Sequence, residues 1–434
     1  MKKILFLSNL VILLFVVGCS KDDDFGGQNV VQPIDFTVDL SYNESFGDIQ
    51  AEGVSVTLTE TNSSQVYTVT SNAQGIALFE EINPGTYSLT ASIAFTKETF
   101  EQTFGYDSNQ DETNFNASQG NVVINENVTT TAVELKTAKV GDLLIKQIYY
   151  AGSHVADGAS FRDQFIEIHN NSNEVIYADG LYIAQLFGNT SMTVKDYTLS
   201  NGQFDWSKSI GMTLGNEANT DYIYADFVYK VPGNGEQYPI QPGESIVIAQ
   251  TAVNHKANYT DNAGNTVEIT SPELTVDLSG ADFEVFIGDD YPSDIQTGAA
   301  DMEVTYFRAG KDMVFDTNGR DGFAIFRTDA DVASFPLFRS PKEAETKEPA
   351  YMQIPNNVII DAVDITREDL STPKKLPSEL DASNIHVPLG KFSSQSVIRK
   401  TKTTIGSRVV LEDTNNSEND FTTLNVATPK GFAQ

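Results

Sequence analysis

The sequence predicts an all-β protein, and three kinds of observation predict it. Val54, Val56 and Leu58 alternate with Ser55, Thr57 and Thr59, the period-two pattern of a strand with one buried face. Turn chemistry separates such segments, as at 71–75 (SNAQG) and at Pro84-Gly85, where Pro sets φ and Gly accepts a positive φ in a type II turn. Short apolar runs such as 283–287 and 358–363 supply strands in the second half of the chain.

Taken in order, the chain opens on Lys2, Lys3 and an apolar run over 4–17 broken by Ser8 and Asn9, the pattern of a signal peptide over 1–18. The stretch Val16-Val17-Gly18-Cys19 resembles a bacterial lipobox, which implies acylation of Cys19 and cleavage before it. Ser20-Lys21-Asp22-Asp23-Asp24 resembles the export signal that sends lipoproteins of Bacteroidota to the outer face of the outer membrane. Together these imply a surface protein held by a lipid anchor in the outer membrane. Residues 19–33, acidic and then rich in Gly, Gln and Asn, read as a flexible tether.

Charge narrows the partners. The 434 residues carry a formal charge of −32, and loss of Lys2 and Lys3 with residues 1–18 leaves −34, which argues against nucleic acid or anionic lipid as a direct ligand. No later apolar run reaches the ~18–20 residues that a spanning helix needs. Cys19 is the only cysteine, so disulfides, CxxC redox chemistry and Cys-ligated zinc are excluded.

Residues 34–137 are expected to form the first domain. After the strand near 54–59 come a second over 66–69, the turn at 71–75, a third with Ile76, Leu78 and Phe79, and the Pro84-Gly85 turn into Tyr87 and Leu89. The run from Gly53 through "SNAQGIALFEEINPGTYSLTAS" resembles the prealbumin-like, carboxypeptidase-regulatory-like small β-sandwiches, which implies a spacer or stalk without catalytic residues. Residues 106–119 (YDSNQDETNFNASQ) read as a long polar loop. Asp107, Asn109 and Asp111 keep the first spacings of a calcium loop, but Glu112 stands where its glycine belongs, so a solvated loop is the preferred reading.

Residues 138–434 are expected to form the second domain. The ordered blocks FIEIHNNS, DGLYI, PGESIVIA, SVIR and DTNNSENDF resemble the lamin-tail family of immunoglobulin-like sandwiches. That family is about half this length, so the blocks near 186–239 and 290–395 are expected as insertions. The resemblances together imply two β-sandwich domains in series on a lipid tether. Over nearly the whole chain, the lipobox, the first module, 238–255 (YPIQPGESIVIAQTAVNH) and 406–421 (GSRVVLEDTNNSENDF) resemble an uncharacterised family of Bacteroidota lipoproteins, domain of unknown function number 4876. Such proteins tend to accompany TonB-dependent outer-membrane receptors, so a receptor of that kind is the implied partner.

No catalytic or cofactor motif emerges. His154, His169, His255 and His386 lack HxH or HExxH spacing, and Gly-x-Ser-x-Gly and Walker patterns are absent. Glu167 and His169, two apart on one strand, share a face and read as a structural hydrogen-bonding pair rather than ligands. The near-calcium run 316–322 (DTNGRDG) puts Arg320 at a ligand position and reads as a β-turn. The oxygen-rich run 413–420 reads as a structural turn.

The most suggestive patch is aromatic. Tyr197, Phe204, Trp206, Tyr222, Tyr224, Phe227, Tyr229 and Tyr238 fall within 42 residues, about twice the density of the 10% average. In 221–230 (DYIYADFVYK), Ile223, Ala225, Phe227 and Tyr229 read as a core face. Tyr222, Tyr224, Asp226 and Lys230 then form a mixed, open one. Trp206, Tyr222 and Tyr224 are the candidate contacts for a glycan or a protein partner, but packing of an insertion onto the sandwich is the preferred reading. The sequence therefore predicts a non-enzymatic surface lipoprotein serving an outer-membrane receptor or uptake system. The alternatives are a glycan-binding protein and a hydrolase with a dispersed carboxylate or His site.

Overall fold

The computed structural model describes residues 32–42, 46, 49–105, 112–138, 142–172, 174–187, 197–288, 290–308, 312–341, 350–367 and 372–433. The expectations for Cys19 to Asp24 and for Asp107, Asn109 and Asp111 lie outside these residues.

Seven strands build the N-terminal unit: β1 (Ile34–Tyr42), β2 (Ser55–Glu60), β3 (Val66–Thr70), β4 (Ile76–Ile82), β5 (Gly85–Thr96), β6 (Glu112–Ile124) and β7 (Thr130–Ala138). Their order is β3-β2-β5-β6-β7-β1-β4, with β1 and β7 parallel and the other pairs antiparallel. β6 touches β7 only through 114–116, so the path folds into two layers. Alternation does the folding: Phe36, Val38, Leu40 and Tyr42 of β1 turn inward, as do Val56 and Leu58 of β2. Helix α1 (Lys97–Phe104) starts where the Thr96 hydroxyl accepts from the Thr99 N–H, stops at Gly105 with φ 80°, and buries Phe100.

Two local expectations are corrected here. Gly85 is not at positive φ, because Pro84 makes a bend that runs straight into β5. The glycine answers a close approach instead: a Cβ there would lie 3.3 Å from the Tyr87 ring, whose hydroxyl donates to the Asn83 carbonyl at 2.7 Å and closes the bend. The expected polar loop over 106–119 is also wrong from Glu112 onward, where β6 begins. Asn114 and Asn116 are buried against the second unit, donating from Nδ2 to the carbonyls of Asp413 (3.1 Å) and Thr414 (2.6 Å), while Phe115 between them fills the first core. A strand covered by a hydrogen-bonding surface can be polar on that face, so its composition imitated a loop.

The larger unit begins with β8 (Leu143–Tyr149), β9 (Phe165–Asn170), β10 (Ile176–Tyr177), β11 (Tyr182–Leu186), β12 (Tyr222–Lys230), β13 (Pro239–Ile240) and β14 (Ser245–Ala249). It continues through the hairpin β15 (Tyr259–Thr260) and β16 (Thr266–Val267), then β17 (Phe283–Glu284), β18 (Ala300–Asp301), β19 (Glu303–Phe307) and β20 (Gly322–Phe326). Next come β21 (Leu337–Phe338), β22 (Tyr351–Pro355), β23 (Ile359–Asp364) and β24 (Ser396–Arg399). The chain closes with β25 (Thr401–Ile405), β26 (Arg408–Leu411) and β27 (Phe421–Leu424). One sheet runs β18-β17-β14-β9-β8-β24-β27; the other runs β21-β22-β12-β11-β20-β23, with β19 beside β12. Ile166, Ile168 and Ile248 from the first sheet meet Ile183, Phe323, Ile325 and Val363 from the second in one core. β8 and β9 are buried on both faces, and their polar residues Lys146, Gln147, Glu167 and His169 are buried with polar partners of their own.

The insertions expected near 186–239 and 290–395 are not peripheral. They contain β12 and β19 to β23, six of the seven strands of the second sheet. Only β11 of that sheet lies outside them, so without these blocks the first sheet would lose nearly all of the sheet that it packs against.

Candidate functional site

The aromatic patch singled out in the sequence is interior. Trp206 and Tyr224 are both 2% exposed and stack on each other at 3.7 Å and 12°, with Phe187, Phe204 and Tyr351 around them. The Tyr224 hydroxyl donates to the Ala218 carbonyl at 3.0 Å and accepts from Gln353 Nε2 at 2.9 Å. Tyr222 is half-buried against the same cluster. Trp206 and Tyr224 therefore pack, as the preferred reading has it, and their candidate role as stacking contacts on an open surface is corrected. The expected core face of β12 is corrected too: a bulge opposite Gln185 and Leu186 splits it, sending Ile223, Ala225 and Val228 into one core and Phe227 and Tyr229 toward another.

The other sequence candidates are also engaged within the fold. Glu167 holds the buried Lys146 ammonium at 2.8 Å, and His169 accepts from Ser245 at Nδ1 while Nε2 donates to the Val409 carbonyl, both at 3.0 Å. Burial lowers His169 to about 4, so the ring is neutral near pH 7. His255 is likewise buried and lowered to about 4. His154 sits on the surface, 3.0 Å from Asp157. His386 lies on the segment before β24 and joins no metal-holding group. In 316–322, Arg320 pairs with Asp316 and the Gly319 N–H donates to the Asp316 carbonyl at 2.8 Å, a turn stapled by its own ion pair. In 413–420, Asp413 and Asp420 face the Arg399 guanidinium at 3.1 and 3.3 Å. Among the described residues, no three His, Cys, Asp or Glu side chains are grouped to hold a metal ion.

A different place has the character of a site: a cleft of about 560 Å³ at the end of the larger sandwich where β9 begins and β14 ends. Five segments and one strand meet there. The loop before β9 brings Phe161 and Arg162, and the residues after β14 bring Gln250 and Thr251. The β15–β16 hairpin brings Tyr259 and Asp261, the loop after β17 brings Tyr291 and Asp294, the segment after β19 brings Asp312, and β12 supplies Phe227. Gln164 pins the Asp312 segment to the sheet: its Oε1 accepts from the Phe315 N–H at 2.9 Å and its Nε2 donates to the Phe315 carbonyl at 3.0 Å. Asp294 shapes its own loop by accepting from the Ile287 and Ile295 N–H groups at 2.7 and 2.9 Å.

The floor of this cleft is under-satisfied. Gln250 is 3% exposed and donates from Nε2 to Asp312 Oδ2 at 2.7 Å, which leaves Gln250 Oε1 and Asp312 Oδ1 without a partner. The Tyr259 hydroxyl is buried and unpartnered as well. Buried polar atoms in native proteins are nearly always paired, so three on one cavity wall mark a place built to receive a hydrogen-bonding ligand. Burial, opposed by the Gln250 bond and aided by the charge of Asp294, raises Asp312 to about 6. Burial also raises Asp294, and it raises Tyr259 to about 12. A second cavity of about 360 Å³ lies between the two sandwiches and carries no aromatic ring. Sequence spacing missed the first cleft because its lining runs from Phe161 to Val314; the Tyr259-Thr260-Asp261 and Tyr291-Pro292-Ser293-Asp294 segments offer the local signal, an aromatic beside a carboxylate.

The described residues thus form an all-β protein of two sandwiches, and the comparisons with known proteins give its family likeness. Residues 241–428 match the family described as a protein of unknown function (DUF4876). The structure of a DUF4876 family protein from Bacteroides thetaiotaomicron is similar with 26% identity and a TM-score of 0.54, covering 90% of this chain and 95% of that one. The resemblance to this family drawn from the sequence is thus borne out. Two further structures, fervidolysin from Fervidobacterium pennivorans and a DUF3823 family protein from Parabacteroides merdae, have 14% and 12% identity and TM-scores of 0.19 and 0.15. They cover 51% and 35% of this chain, and 31% and 65% of their own, too loosely to carry an argument. No curated protein matches the chain.

Proposed function

We propose that the protein is a non-enzymatic, lipid-anchored binding component at the outer face of the outer membrane, serving a receptor or nutrient-uptake system. The first sandwich carries the second, and the end cleft of the second takes the ligand. One observation carries this reading: the unpartnered Gln250, Asp312 and Tyr259 atoms on the wall of one cavity. The lipobox at Cys19 and the acidic run to Asp24 support the location, and no helix among the described residues is long and apolar enough to cross a membrane. The test is protease shaving of whole cells, followed by mild-detergent purification of the tagged protein, each beside Cys19→Ala. Surface digestion and co-purification of a β-barrel receptor, both lost in Cys19→Ala, are expected. A protein that resists shaving and purifies alone contradicts the proposal.

One observation favours a second reading, a hydrolase. Asp312, raised to about 6, holds a proton close to neutral pH as a general acid does, and Asp294 lies on the same cavity wall. Release of new reducing ends from a polysaccharide, abolished by Asp312→Asn, would establish it. Binding without turnover excludes it.

A further inference from the structure

The chemistry of the end cleft specifies a class of ligand; this inference rests on the reading of that cleft as the binding site. Its free atoms come first. Gln250 Oε1 can only accept from a ligand and Asp312 Oδ1 accepts when the carboxyl is ionised, whereas the Tyr259 hydroxyl can donate or accept. The occupant must therefore present donors, and it gains from presenting acceptors too. Rings come second: Phe161, Phe227, Tyr259 and Tyr291 line the cavity, and Tyr291 is 45% exposed, open to a flat partner. Such rings pack against an apolar face while the polar groups read the edge of the same molecule.

Charge then removes alternatives. Asp261, Asp294 and Asp312 against the single Arg162 make the wall net acidic, which disfavours phosphate, sulfate or an acidic sugar. The carboxylates are not grouped to hold a metal ion. An organic ammonium would suit the rings and carboxylates, but it would face the Arg162 guanidinium and leave the Tyr259 hydroxyl with no acceptor. A ring of hydroxyl groups on an apolar C–H face answers every free atom. The cavity, about 560 Å³ and open to solvent, falls in the range of ligand sites, ~300–1,000 Å³.

We propose that the end cleft binds a neutral carbohydrate, with a pyranose stacked on Tyr291 and its hydroxyls donating to Gln250 and Asp312. The stacking ring stands on the loop after β17 and the polar reader at the end of β14, so recognition requires the assembled sandwich.

The experiment is calorimetric titration of the mature chain with cellobiose, maltose and N,N′-diacetylchitobiose, and with glucuronate and choline as charged probes. Tyr291→Ala and Gln250→Ala are titrated in parallel, and circular dichroism and a thermal melt confirm that each is folded. Tyr291 is exposed, so its variant keeps the test open even if Gln250→Ala fails to fold. The expected result is saturable binding of at least one neutral sugar, weakened about tenfold or more by Tyr291→Ala and by Gln250→Ala, with no binding of glucuronate. Sugar binding unchanged in Tyr291→Ala overturns the assignment of this site. Choline binding that depends on Tyr291, with no sugar bound, overturns the carbohydrate class and leaves the cleft as a ligand site. No binding of any probe overturns both.

Discussion

The two sandwiches solve the same packing problem with different chemistry. Between its layers the first is apolar and aromatic: Tyr42, Phe46, Phe95, Phe100, Phe104 and Phe115 meet edge-to-face or stacked at ring separations of 4.6–6.5 Å. The second buries charge. Arg399, 1% exposed, faces Asp361, Asp413 and Asp420 at 2.8, 3.1 and 3.3 Å, and Lys146–Glu167 and Lys375–Asp364 are buried pairs at 2.8 and 2.6 Å. Arg399 is on β24 and Asp361 on β23, in opposite sheets, so this network fixes one sheet against the other. Three carboxylates face one guanidinium, and burial raises Asp413 to about 7 and raises Asp361. The lesson is a division of labour. Rings stabilise the carrier by area alone, whereas the unit with the cleft has its long connections positioned by polar contacts that are sensitive to pH and to single substitutions.

Breaking the charged network should give the largest effect. Arg399→Met leaves buried carboxylates without their cation and should destabilise the second sandwich by roughly 3–5 kcal/mol in urea unfolding. A loss below ~1 kcal/mol would place the stabilisation elsewhere. Asp163 sharpens the pH side of the comparison. It is fully buried beside the Tyr149 hydroxyl at 3.1 Å, and burial raises it to about 7. A carboxyl raised in the folded state favours folding fully below its unfolded pKa, and that contribution is lost as pH rises from about 4 through about 7. Asp163→Asn should therefore be more stable than the parent at pH 8, by roughly 2–4 kcal/mol, with the advantage gone at pH 4. Equal melting shifts at the two pH values would refute the assignment. The smallest effect belongs to the aromatic unit: Phe115→Leu should cost ~1–2 kcal/mol, with the same value at pH 5 and pH 8, because the Tyr42 ring that it meets is pushed up to about 12 by burial and stays neutral over that range. A pH-dependent cost there would erase the contrast.

The same contrast governs what the sequence made legible. Alternation in β2 was readable because Val56 and Leu58 meet an apolar core while the residues between them face outward. β9 and β14 were readable as the blocks FIEIHNNS and PGESIVIA. The second sheet was readable only in part, at 221–230 and 358–363: β12 changes faces at its bulge, and β19 to β22 are short strands divided by long connections. β6 was hidden because Asn114 and Asn116 satisfy the neighbouring sandwich rather than water. Trp206 drew attention for its rarity, yet a lone Trp among Tyr and Phe formed a small core of its own. Gln250, Asp312 and Tyr291 drew none, since only folding brings β14, the segment before β20 and the loop after β17 to one wall.

The central claim is that ligand recognition belongs to the end cleft of the second sandwich and that the first only carries it. Hydrogen–deuterium exchange of the mature chain, with and without cellobiose, maltose and N,N′-diacetylchitobiose, tests it most directly. The account predicts slowed exchange over 161–162, 250–265 and 291–295 with at least one of these sugars, and unchanged exchange in β1 to β7. Protection within β1 to β7, or none at the cleft with any of the three, would contradict it.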